Sequence, residues 1–329
     1  MRRHLLFCLV ALLIIPVRAF SSDKDKYEYF RVGSQADIVT KPTSGFLLLG
    51  GGSDLDDAFR WMCAKSNGGD FLVVRASGGN DYNPYVQGLC KVNSVSTIIT
   101  RSRKAAEDPF VADAIRHAEA IFIAGGDQAN YINFWKGTDV QKALNEAIAR
   151  GVPIGGTSAG LAVLGEFSFA ALNDTAVSKV VLANPFDKTV TIERGFLTIP
   201  VLGDIITDTH FAKRDRLGRL LVFMARIVQD GWAKKVRAIA VDEGGGVALE
   251  ADGLATVFGP KPVFFLETNS TPAVCAPNTP LSFGPLTVYR LQGEGRFNVK
   301  EWTGEKGTAY ELKAEGGSVT STQPGGSLY

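Results

Sequence analysis

The nine residues VPIGGTSAG at 152–160 decide how this chain is read. An apolar run over 152–155 leads directly into Gly156-Thr157-Ser158-Ala159-Gly160, and a short stretch of helical character follows. Strand, sharp turn and helix form the setting of a G-x-S-x-G nucleophile elbow. There, small neighbours let the backbone turn tightly and push the serine out at the carboxyl end of a strand. The first amides of the following helix then offer N–H donors to an oxyanion. The bland alternative is a glycine-rich turn with a capping serine; the strand-to-helix context favours the catalytic reading.

Working outward, further apolar runs occur at Gly45–Leu49, 71–75, 95–99 and 120–124. They are apolar throughout instead of alternating, which suits strands covered on both faces of a parallel sheet. Helical patterns fill the gaps at 54–65, 105–117, 127–135 and 140–150. Beyond the elbow come a strand at 203–208, a long helix around 214–228 and a strand at 237–241. The alternation predicts a doubly wound, mostly parallel α/β sheet. From Gly246 the pattern turns to short strands and turns, an antiparallel β appendage, and the boundary between the two parts is set after residue 258. The α/β domain therefore spans 45–258 and the β-rich extension 259–329, ending in a Gly/Ser/Thr-rich tail from Ala314 expected to be mobile.

At the other end, Arg2 and Arg3 lead into an apolar run from Leu5 to Val17 that closes on a small residue, Ala19. This is the pattern of a secretory signal over 1–19, too short to span a bilayer comfortably. Residues 20–44 read as a polar, irregular lead-in. Removal of the signal takes away three basic residues and no acidic ones, so the net charge of +1 becomes −2. No nucleic-acid binder is implied by that balance, and no membrane partner after cleavage. The mature chain keeps Cys63, Cys90 and Cys275, so at most one disulfide forms within it, and spacing does not say which. Asn173 and Asn269 begin Asn-x-Ser/Thr sequons, which matter only in a host that glycosylates exported proteins.

A serine nucleophile needs a base, usually histidine. The mature chain has His117, at the end of a helical stretch, and His210, just after the 203–208 strand. Ligands in doubly wound sheets bind at the carboxyl ends of strands, so His210 shares a rim with Ser158 and is the base. For the group that orients it, Asp208, Asp242 and Glu243 all lie at strand ends; spacing does not choose among them. Gly125-Gly126-Asp127-Gln128 follows a strand and opens a helix, so its amides are candidates to complete an oxyanion hole. Gly50-Gly51-Gly52-Ser53-Asp54 has a similar position and lacks the G-x-G-x-x-G spacing of a dinucleotide site. Arg214, Arg216 and Arg219 follow the base closely, a carboxylate clamp or a solvated basic helix end.

Taken together, GGGSD at 50–54, GGDQ at 125–128, GTSAG at 156–160, DTHFAKRDRLGRL at 208–220 and VDE at 241–243 resemble the cyanophycinase and dipeptidase E family of serine peptidases. The resemblance implies a class I glutamine amidotransferase-like, flavodoxin-like fold. It also implies a Ser158–His210–Glu243 triad, which chooses Glu243 where spacing left the matter open. An oxyanion hole at Gly126 and Ala159 goes with it, and no metal or organic cofactor. Within the family the GGDQ loop and the arginines are closer to cyanophycinase, which implies Gln128, Asp208, Arg214, Arg216 and Arg219 as substrate contacts. Thr209 stands where the resemblance leads one to expect glutamine. The implied activity is hydrolysis of β-aspartyl peptide bonds in a peptide or polymer, cyanophycin above all, by a secreted or periplasmic exopeptidase; a homodimer is compatible with it. The rivals are an α-aspartyl or isoaspartyl dipeptidase and a binding module that kept the fold without catalysis.

Overall fold

The computed structural model describes residues 25–268 and 270–329. The expected signal segment and Asn269 lie outside the described residues; Asn173 is exposed, with its side-chain amide donating to the Lys188 carbonyl at 3.0 Å.

Five parallel strands form the heart of the first sheet, in the order Ser94–Thr100, Asp70–Arg75, Ala120–Ile123, Ile154–Thr157, Gly45–Leu49. These are the apolar runs read from the sequence, and alternate residues of one strand feed different cores. Leu47 and Leu49 pack with Phe59 and Met62 of the helix Asp56–Lys65. Phe46 and Leu48 join the largest core, which also holds Ile239, Val241 and Phe265. The helix expected over 105–117 is two, Arg103–Ala106 and Pro109–Arg116. Pro109 has no N–H to continue a helix and instead starts one, with the Asp108 side chain accepting from Phe110 N.

Two features differ from the expectation. The lead-in contains a strand, Tyr27–Gly33, antiparallel to Ser94–Thr100 at the sheet edge. Charged Glu28 and Arg31 break up its apolar pattern, while Tyr27 and Tyr29 pack around Phe110. The strands are also divided between two sheets. Ile205–Asp208 and Val236–Val241 pair in parallel with each other in a second, eight-stranded sheet. Ala238 and Ala240 face the long helix Leu217–Gln229, whereas Ile239 and Val241 face the core shared with the first sheet.

The C-terminal strands are antiparallel, as expected, and extend both sheets. Gly246–Glu250 pairs with Gly45–Leu49 and with Leu254–Phe258 in the first. Val263–Thr268 pairs with Val236–Val241 in the second, followed by Phe283–Leu291 and Thr308–Glu315. The tail, expected to be mobile, is held in place. Ser318–Ser321 pairs with Thr308–Glu315, and Tyr329 packs on Phe211 and Phe264 while its hydroxyl bonds Leu217 N and Asp215. Cys63 and Cys90 are joined in a disulfide that ties the helix Asp56–Lys65 to the end of the helix Tyr82–Leu89; Cys275 is buried and free. Among the described residues no helix is long and apolar enough to cross a membrane.

Candidate active site

Ser158 follows Ile154–Thr157 and begins the one-turn helix Ala159–Ala162. Its φ of +53° is one that side chains rarely adopt, and small neighbours make the turn feasible. A Cβ on Gly160 would stand 1.9 Å from the Ile123 carbonyl oxygen, and one on Gly156 2.5 Å from the Gly160 carbonyl carbon. Both flanking glycines are thus fixed by backbone contact.

The parallel pair Ile205–Asp208 and Val236–Val241 sets two carboxyl ends side by side, and His210 and Glu243 each lie two residues beyond. Ser158 Oγ is 2.6 Å from His210 Nε2, and His210 Nδ1 is 2.6 Å from Glu243 Oε1. The serine comes from one sheet and its two partners from the other. Burial pulls the His210 pKa below the usual 6.5, opposed by its hydrogen bond to Glu243 and reinforced by the charges of Arg214 and Arg216. Glu243 is held below the usual carboxylate range chiefly by its hydrogen bond to His210. Asp242, the alternative to Glu243, faces the other way and accepts from Lys213 N at 2.9 Å. His117 is exposed, its Nδ1 2.9 Å from the Asp113 carbonyl, far from this chemistry in role and place.

The triple-glycine loop has a function the sequence reading missed. Gly50 O accepts from His210 N at 2.9 Å and Gly51 O from Gly244 N at 2.9 Å, which stitches the two sheets together at the site. A Cβ on Gly51 would lie 2.3 Å from His210 Cε1, and one on Gly52 3.2 Å from Glu243 Cβ. The loop is the seat of the imidazole and its carboxylate. Three consecutive glycines after a buried strand were the available signal.

Beside the triad opens a cleft of about 770 Å³ lined by Gly126, Gln128, Lys179, Arg214, Arg216 and Arg219, with Asp127, Asp174 and Asp215 among them. Of the expected contacts, Gln128 lines it and donates to the Phe169 carbonyl at 3.3 Å. Arg214 is half exposed and also reaches Glu243 Oε1 at 3.4 Å, so it touches both cleft and triad. Arg216 precedes the long helix instead of lying within it; it donates to the Thr209 carbonyl and hydroxyl at 2.8 and 3.0 Å. Desolvation lowers its pKa to about 10. Asp208 and Arg219 are only 2% exposed and hold each other, with Arg219 Nε 2.9 Å from Asp208 Oδ2 and a second bond parallel to it. The Arg219 guanidinium also lies 4.9 Å from the centre of the Phe169 ring and 5.8 Å from that of Phe223, two rings that stack on each other. Asp208 does not line the cleft, and Arg219 reaches it with its donors largely engaged. Gly126 is exposed at the cleft edge, and Ala159 is the first residue after the elbow serine.

The family model for Peptidase family S51 matches residues 46–180. The serine-type peptidase class expected from the motifs is therefore the class of the family matched. Curated relatives include the cyanophycinase of Trichormus variabilis, 26% identical over 215 residues, covering 64% of this chain and 66% of the relative. The cyanophycinase of Geminocystis herdmanii is 25% identical over 276 residues, 78% of this chain and 94% of the relative. That of Synechococcus elongatus is 27% identical, and the chain spans 62% of its length. Among solved structures, a peptidase from an acI-B1 Actinobacterium is similar, with a TM-score of 0.48 at 15% identity, covering 68% of this chain and 90% of that one.

Proposed function

We propose that this chain is a secreted serine exopeptidase acting on β-aspartyl peptides, with a β-Asp–Arg polymer of the cyanophycin type as its substrate, released as dipeptides. The observation that carries the reading is the continuous hydrogen-bonded line from Ser158 through His210 to Glu243. In that line His210 Nε2 takes the serine proton as Oγ attacks the scissile carbonyl. Glu243 keeps the Nδ1–H tautomer and stabilises the imidazolium that forms. The amides of Gly126 and Ala159 receive the oxyanion. The proton then passes from His210 to the leaving amine, and a water deprotonated by the same histidine hydrolyses the acyl-enzyme on Ser158. Gln128, Arg214 and Arg216, at the cleft beside the triad, serve the substrate's polar groups, guanidinium forks being matched to carboxylates. Asp208 and Arg219 contribute by fixing the wall from which they project. Similarity to cyanophycinases supports the choice of polymer.

The test is incubation with insoluble cyanophycin and, separately, with short Asp-Xaa dipeptides, products being identified by mass spectrometry. Dipeptides released from the polymer are expected. Turnover of the short peptides alone would move the assignment to a dipeptidase. Export is checked by sequencing the amino terminus of the protein recovered outside the cytoplasm, expected at Phe20.

A further inference from the structure

Tyr131 lies in the helix Gln128–Trp135, fully buried, its ring stacked on Trp135 at 4.4 Å. Its hydroxyl donates to the Ala124 carbonyl at 2.7 Å and reaches the Gly125 carbonyl at 3.2 Å. Burial drives the phenol's pKa upward, so the group stays a donor. Two successive carbonyls thus converge on one phenol. In a trans peptide the C=O and N–H point in opposite directions, so the N–H groups of Gly125 and Gly126 are turned away from Tyr131. Ser158 borders this loop: a Cβ on Gly125 would come within 3.5 Å of Ser158 Cβ. Among the described residues neither of these two N–H groups has a backbone acceptor.

We infer that Tyr131 is a positioning residue for the oxyanion site: by pinning the Ala124 and Gly125 carbonyls it presents the Gly126 N–H to the carbonyl oxygen of a substrate attacked by Ser158. The inference rests on the serine-peptidase reading above. Without the phenol, a segment with two consecutive glycines is free to rotate its peptide planes and lose the donor. Tyr131 itself touches no reacting atom.

Tyr131→Phe keeps the ring and its stacking and removes only the hydroxyl. On the β-Asp–Arg polymer, kcat is expected to fall about 10- to 100-fold with KM within about twofold, since the lost interaction belongs to the transition state. The rate at which a fluorophosphonate probe modifies Ser158 should fall by a similar factor, because phosphonylation also places charge on an oxygen facing the same amides. Rates are referred to the fraction of molecules labelled at completion, which corrects for misfolded protein. Tyr131→His, which restores a donor, should recover part of the loss. A purely structural role would lower Tm and leave both rates intact. Wild-type rates in Tyr131→Phe overturn the inference while Ser158→Ala remains inactive and unlabelled; activity surviving in Ser158→Ala overturns the serine reading itself.

Discussion

His210 sits between opposing pulls on its proton. Burial and two nearby arginines favour the neutral ring, while Glu243 favours the charged one, and the balance lies below 6.5. In the proposed mechanism the neutral ring is the base, so activity should be present above the shifted pKa and lost as pH falls through it. The acid limb of kcat/KM is therefore expected to have its midpoint below 6.5, and Glu243→Gln should move it lower still while reducing kcat. A limb centred above 6.5 in the wild type would contradict this environment. Gly51 gives a steric counterpart. At φ +94°, with a Cβ falling 2.3 Å from the imidazole, Gly51→Ala is expected to cut kcat at least 100-fold by about the cost of misplacing a catalytic group, read in steady-state kinetics. His210 was legible in the sequence because histidine is scarce and only one follows a rim strand. Gly51 was not, because its constraint is the shape of a ring contributed from 159 residues further along the chain.

At the scale of elements, the buried strands announced themselves by unbroken apolar runs, and the elbow by its glycines. Arg214–Arg219 was harder. The sequence places the arginines at the start of a helix around 214–228, whereas they are split by a turn in which Asp215 has φ +48°, and the helix begins only at Leu217. Arg219 consequently points inward to Asp208 and joins the strand Ile205–Asp208 to the helix Leu217–Gln229. Removing one member of a buried ion pair leaves its partner uncompensated, at about 3–5 kcal/mol. Arg219→Ala is expected to lose stability on that scale in urea unfolding. A raised KM at unchanged stability would instead make Arg219 a substrate contact. Spacing alone carries no record of which charged side chains satisfy each other across elements.

Across the whole molecule, the triad is assembled where two sheets meet, and the glycine loop at 50–52 is the joint. Pairing between sheets is a long-range property, which is why the sequence supported a single doubly wound sheet and a separate appendage. The Cys63–Cys90 bridge closes a loop with a sequence separation of 27 behind the helix that continues from this joint. Replacing both cysteines by serine should lower stability by about 3.5 kcal/mol on the loop-entropy account, with activity per folded molecule retained; unchanged unfolding would deny the bridge its part. The central claim is that Ser158 is the nucleophile. Its most direct test compares wild type with Ser158→Ala for release of dipeptides from cyanophycin, after both are shown to be folded. The account predicts loss of at least about a thousandfold in kcat, as for removal of a triad nucleophile. Hydrolysis by Ser158→Ala at a rate near that of the wild type would contradict it.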